Sequence, residues 1–85
     1  MLFGLYTIKD ELSEYGTMII PFQEEAHAKR WFRGYVDQTD IIKKNPEDFS
    51  LWKFAEYDSK TAEIIPQYPP VLVERAKGEY TENGN

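Results

Sequence analysis

From Phe49 to Tyr57 the side chains alternate between two faces, with Phe49, Leu51, Ala55 and Tyr57 on one and Ser50, Trp52, Phe54 and Glu56 on the other. A period of two marks a β-strand. Both faces carry apolar bulk, so the strand is expected to have one face under a helix and the other half covered by a partner or by its own aromatics. Asn45-Pro46-Glu47-Asp48 introduces it as a turn, because Pro46 fixes its own backbone and pushes Asn45 out of the helical region. At the start of the chain, Leu2 to Ile8 reads as a first strand, with Phe3 and Leu5 on one face and Leu2, Tyr6 and Ile8 on the other. The polar stretch from Asp10 ends in Gly16, which suits a turn needing a positive backbone angle. Thr17 to Ile20 is a short strand that Pro21 stops or confines to an edge, and it should pair with the first strand as a hairpin.

Between Gln23 and Asp37 the period lengthens. Ala28, Trp31, Phe32, Tyr35 and Val36 fall on one helical stripe, and Glu24 and Glu25 stand in the first turn, where the helix dipole favours acids. Gly34 is a weak point in this helix, or a place where a strand approaches closely. Ile41 and Ile42 are expected to pin a short helical turn to the core and leave Lys43 and Lys44 in water. After the main strand, Asp58-Ser59-Lys60-Thr61 supplies a turn, Ala62 to Ile65 a returning strand that ends at Pro66, and Val71 to Val73 a fifth strand or an extended arm. The order is ββαββ. It predicts an α+β fold in which one amphipathic helix crosses an antiparallel sheet of four to five strands, with Trp31, Phe32 and Tyr35 facing Leu5 and Leu51. Residues 1–76 form one domain and 77–85 a polar, flexible tail.

Composition narrows the chemistry. The chain has 85 residues, room for a single domain, and 41% hydrophobic with 15% aromatic content supports a folded core. It has no cysteine and one histidine, His27, which rules out disulfides and thiolate sites and removes most zinc and triad chemistry. No glycine-rich phosphate loop or nucleophile motif is present, and the carboxylate pairs Asp10/Glu11, Glu24/Glu25 and Glu47/Asp48 sit where turns and helix starts use acids. The expectation is a protein without catalysis, cofactor or metal. No apolar run is long enough for a membrane helix and the N-terminus lacks a signal-peptide pattern, so a soluble protein without membrane contact is expected.

The net charge is −5, which disfavours coating nucleic acid by bulk electrostatics. Its distribution matters more: residues 1–26 carry −4, residues 27–44 carry +3 and residues 45–85 carry −4. The basic island comprises Lys29, Arg30, Arg33, Lys43 and Lys44. It reads either as the solvated face of a core-packed helix or as a positive track for the phosphates of single-stranded DNA. Trp52 and Phe54 form a second candidate, an apolar interaction face that a homodimer would cover.

The order of these signals resembles the small nonstructural protein of gokushovirus-type microviruses, bacteriophages with a circular single-stranded DNA genome. The resemblance spans most of residues 3–75. It rests on the opening strand ending in Lys9-Asp10, on Gly16-Thr17 leading to Pro21-Phe22, and on a helix with Ala28-Lys29-Arg30-Trp31-Phe32 and Val36-Asp37. Asn45-Pro46-Glu47-Asp48-Phe49-Ser50-Leu51-Trp52 and Glu56-Tyr57-Asp58 complete it. The resemblance implies a protein made in the cytoplasm of the bacterial host, absent from the mature virion, and described as DNA-binding or as acting in viral DNA synthesis and packaging. It carries over no active-site residue. Two functions are therefore expected to compete: an accessory protein that touches single-stranded DNA, and a module that binds a viral or host replication or packaging protein without touching DNA.

Overall fold

The long alternating strand lies inside the sheet, where its two apolar faces require it to be. In the computed structural model, which describes residues 1–78 and 80, the elements are β1 (Leu2–Asp10), β2 (Ile20–Phe22), α1 (Glu25–Gln38), α2 (Asp40–Lys44), β3 (Phe49–Asp58) and β4 (Glu63–Arg75). The four strands form one antiparallel sheet in the order β2-β1-β3-β4. A 3-10 turn at Pro46–Asp48 leads into β3, as the proline directs. The class is α+β.

One side of the sheet holds the core. Ala28, Phe32 and Val36 of α1 have no exposed surface, and they pack with Tyr6, Ile8, Leu51, Ile42 and Ala76. Phe22, Trp31, Tyr35, Phe49 and Val73 pack at its margin. Of the two isoleucines in α2, Ile42 is the buried one and Ile41 faces solvent.

Strand register decides which residues look the other way. Residues paired directly across antiparallel strands share a face, and successive residues alternate. Phe3, Leu5, Thr7 and Lys9 pair with Tyr57, Ala55, Trp52 and Ser50, whereas Gly4, Tyr6, Ile8 and Asp10 pair with Glu56, Lys53, Leu51 and Phe49. The core face is therefore that of Tyr6 and Ile8, and Leu5, expected under the helix, belongs to the opposite face. Ala55 and Tyr57 are displaced from the expected face as well. A register shift between Leu5 and Tyr6 leaves Phe54 unpaired with β1. One extra residue reverses every side chain beyond it.

Three further expectations are corrected. β2 begins at Ile20 and includes Pro21, which is compatible with pairing because β2 is an edge strand. The expected separate strands at 62–65 and 71–73 are parts of a single strand, β4, which continues through Pro66, Pro69 and Pro70 with shifts in its register to β3. Here too an edge position removes the penalty for missing N–H donors. Among the described residues no glycine has a positive φ. Gly16 is needed instead for close approach, since a Cβ there would lie 2.9 Å from the Ile8 carbonyl oxygen, while Gly34 has nothing within 4 Å of where its Cβ would be. The positive φ sits at Ala62, at 65°, in the turn whose N–H groups bond Asp58. The expected tail lies largely outside the described residues.

Candidate functional site

Helical packing sorts the basic island into two groups. Lys29 and Arg33 project from the flank of α1 nearest β4 and are already paired: Lys29 Nζ lies 3.4 Å from Glu25, and Arg33 donates from Nε and Nη2 to the two carboxylate oxygens of Glu74 at 2.8 and 2.7 Å. Glu74 is only 12% exposed, so this fork ties α1 to β4 in a partly dry setting, and its hydrogen bonds hold the Arg33 guanidinium above its usual pKa. The Tyr80 ring lies 6.0 Å from the same guanidinium, and burial raises its hydroxyl pKa. Arg30, Lys43 and Lys44 are exposed and have no ion partner among the described residues. Three of the five candidate cations are thus unpaired among the described residues, on exposed positions of the helices. Asp37 and Asp40, also exposed, lie in the same segment. Trp31 stacks on Tyr35 with centroids 5.1 Å apart and also meets Phe22, which commits both rings to the margin of the core.

The second surface is the sheet face opposite the helices. Besides Phe3, Leu5, Trp52, Ala55 and Tyr57 it carries Ile64, Pro66 and Leu72, the β4 partners of Tyr57, Ala55 and Trp52. The molecule is only 17 Å across its shortest axis, enough for one sheet and one helical layer at about 10 Å spacing. Among the described residues no second layer of helix or strand covers this face.

The loop between β1 and β2 covers part of it. Gly16 N–H donates to the Ile8 carbonyl at 2.7 Å and Thr7 Oγ1 donates to the Gly16 carbonyl at 3.1 Å, which fold the loop back on β1. Tyr15 then meets Trp52 edge-on at 5.7 Å, and Lys9 Nζ lies 5.0 and 5.4 Å from the two ring centroids, within cation–π range. Behind them Trp52 Nε1 donates to Ser50 Oγ at 2.8 Å, and Ser50 donates to Glu11 at 2.8 Å. The buried Ser50 hydroxyl is thereby fully used. That hydrogen bond, with Lys9 and Arg75 nearby, holds the Glu11 carboxyl below the usual range.

Beside this cluster lies an apolar groove of about 260 Å³ lined by Thr7, Tyr15, Gly16, Ile19, Phe54 and Pro70. Phe54, a sequence candidate, is in it, and Trp52, the other, is half covered by Tyr15. Tyr15, Ile19 and Pro70 have no periodic signal in the sequence; only the loop fold brings them here. Among the described residues no group of three or more acidic or histidine side chains is placed to hold a metal ion, and no helix is long and apolar enough to cross a membrane.

Comparison with known families places this architecture. The family model described as Phage ORF5 protein matches residues 3–78. The chain belongs to that family. As a Phage ORF5 protein it is a small phage protein, and the matched span takes in the whole sheet, both helices and both candidate surfaces. No curated protein and no solved structure matches the chain.

Proposed function

We propose that this Phage ORF5 protein is a non-catalytic accessory protein of a microvirus, acting in viral single-stranded DNA synthesis or packaging in the cytoplasm of the bacterial host and left out of the mature virion, and that it touches single-stranded DNA weakly through Arg30, Lys43 and Lys44. The observation that supports this reading is the sorting of charge on the helical layer. Lys29 and Arg33 are neutralised by Glu25 and Glu74, while the other three cations stand in water without an ion partner among the described residues. Free cations on an exposed surface are what a phosphate backbone engages, and three contacts on a chain of charge −5 make an interaction that is weak and confined to low salt.

Fluorescence anisotropy with a labelled single strand tests it. At roughly 20 mM salt the protein is expected to bind, with log affinity falling against log salt at a slope of about −2, near 0.7 per phosphate contact for single strands. Reversing Arg30, Lys43 and Lys44 together to Glu is expected to abolish binding. Arg33 variants are unsuitable, because they also release Glu74. If the unmodified protein does not bind even at that salt, the DNA reading fails. The acidic balance then favours the second reading, an interaction module for a viral or host replication or packaging protein, which a pull-down resistant to nuclease would detect.

A further inference from the structure

The part of the sheet face opposite the helices that the β1–β2 loop leaves open presents large apolar side chains to water. Ile64 and Leu72 of β4 are 59% and 36% exposed, and Ile19, 57% exposed, lines the groove with Phe54, Tyr15 and Pro70. That groove is below the roughly 300–1,000 Å³ of small-molecule sites. Of its two hydroxyls, that of Thr7 is already bonded to the Gly16 carbonyl and that of Tyr15 belongs to a ring packed edge-on against Trp52. Such a lining is too poor in polar groups to select a polar metabolite. It suits one apolar or aromatic side chain, the kind of anchor that dominates protein interfaces.

The same molecule carries a side chain of that kind. Tyr68 is 87% exposed, and it lies in the irregular stretch of β4 two residues before Pro70, which lines the groove. We propose that the sheet face binds a second copy of this chain, the two faces stacking about a two-fold axis beside the β4 irregularity so that Tyr68 of each copy enters the groove of the other. Isologous contact requires a knob and a hole on one surface, and alternation along β4 gives Tyr68 the face of Pro66, Pro70 and Leu72. The size also fits. Strands of nine, three, ten and thirteen residues, about 4.8 Å apart and rising about 3.3 Å per residue, give a flat face of about 550 Å², which projecting side chains bring toward the roughly 800 Å² per partner of a standard interface. Charge permits it as well: the rim at the end of β1 holds Lys9, Arg75 and Glu11, both signs together, so two copies of an acidic protein do not meet like against like. A dimer of this form keeps both helical layers outward and does not depend on the DNA reading.

Sedimentation velocity across protein concentrations from about 1 µM to about 1 mM, the range in which an interface at the low end of standard size should associate, tests the proposal. The expected result is a monomer–dimer equilibrium. Tyr68→Ser and Ile19→Asp, both at exposed positions and so neutral for folding by circular dichroism, are each expected to weaken it at least tenfold. Combined, they should cost less than the product of the two, because they remove one shared contact. The Arg30, Lys43 and Lys44 reversals are expected to leave dimerisation intact. A monomer throughout the range, a dimer indifferent to both substitutions, or growth into larger species would each overturn the proposal.

Discussion

Gly16 and Gly34 look alike in the sequence and differ in what surrounds them. A methyl at Gly16 meets a backbone oxygen at 2.9 Å that cannot move aside without disturbing β1, whereas a methyl at Gly34 meets nothing within 4 Å. Gly16→Ala is therefore expected to destabilise by about 1–3 kcal/mol, the usual range for overpacking, and Gly34→Ala to stabilise by up to about 1 kcal/mol through helix propensity. Urea titrations of both variants measure the difference in sign. Glu11 provides a pH test. Its folded carboxyl is depressed by the Ser50 hydroxyl first, with Lys9 and Arg75 adding, so its contribution to stability is complete above the unfolded glutamate value near about 4.3 and disappears as pH falls through the lower folded value. Glu11→Gln removes that titration. Denaturation midpoints measured from neutral pH downward should fall less steeply in the variant than in the parent below about pH 4.

At the scale of elements, local chemistry was legible and long-range pairing was not. The stripe Ala28, Phe32, Val36 announces α1, and Pro46 announces the turn before β3, because both signals act within a few residues. Arg33 shows the limit. From its helix position it belongs to a basic track, yet its partner Glu74 is 41 residues away on β4. Ala55 shows another: alternation in β3 is right until the irregularity at Phe54 and wrong after it, whereas in β1 the alternation holds and only the choice of Leu5's face for the helix fails. The groove was half visible, through Phe54 alone. Since the Arg33 fork joins α1 to β4 through a carboxylate only 12% exposed, a double-mutant cycle with Arg33→Met and Glu74→Gln should give a coupling of about 1 kcal/mol, at the upper end for partly exposed pairs. A coupling near zero would make the fork a surface coincidence.

For the whole molecule, one helical layer on one four-stranded sheet is the arrangement that the ββαββ order specifies, and its consequence is a bare face. The sheet edges are a separate matter. β2 has three residues, one of them Pro21, and β4 carries Pro66, Pro69 and Pro70. Each proline withdraws a hydrogen-bond donor from the ladder that an incoming strand would need. Lateral growth of the sheet from molecule to molecule is interrupted at both margins, so association is directed to the flat side, where a two-fold pairing closes on itself. A sheet bounded in this way is a poor seed for fibres, because Pro21 on one margin and Pro66, Pro69 and Pro70 on the other break the ladder that would recruit one subunit after another.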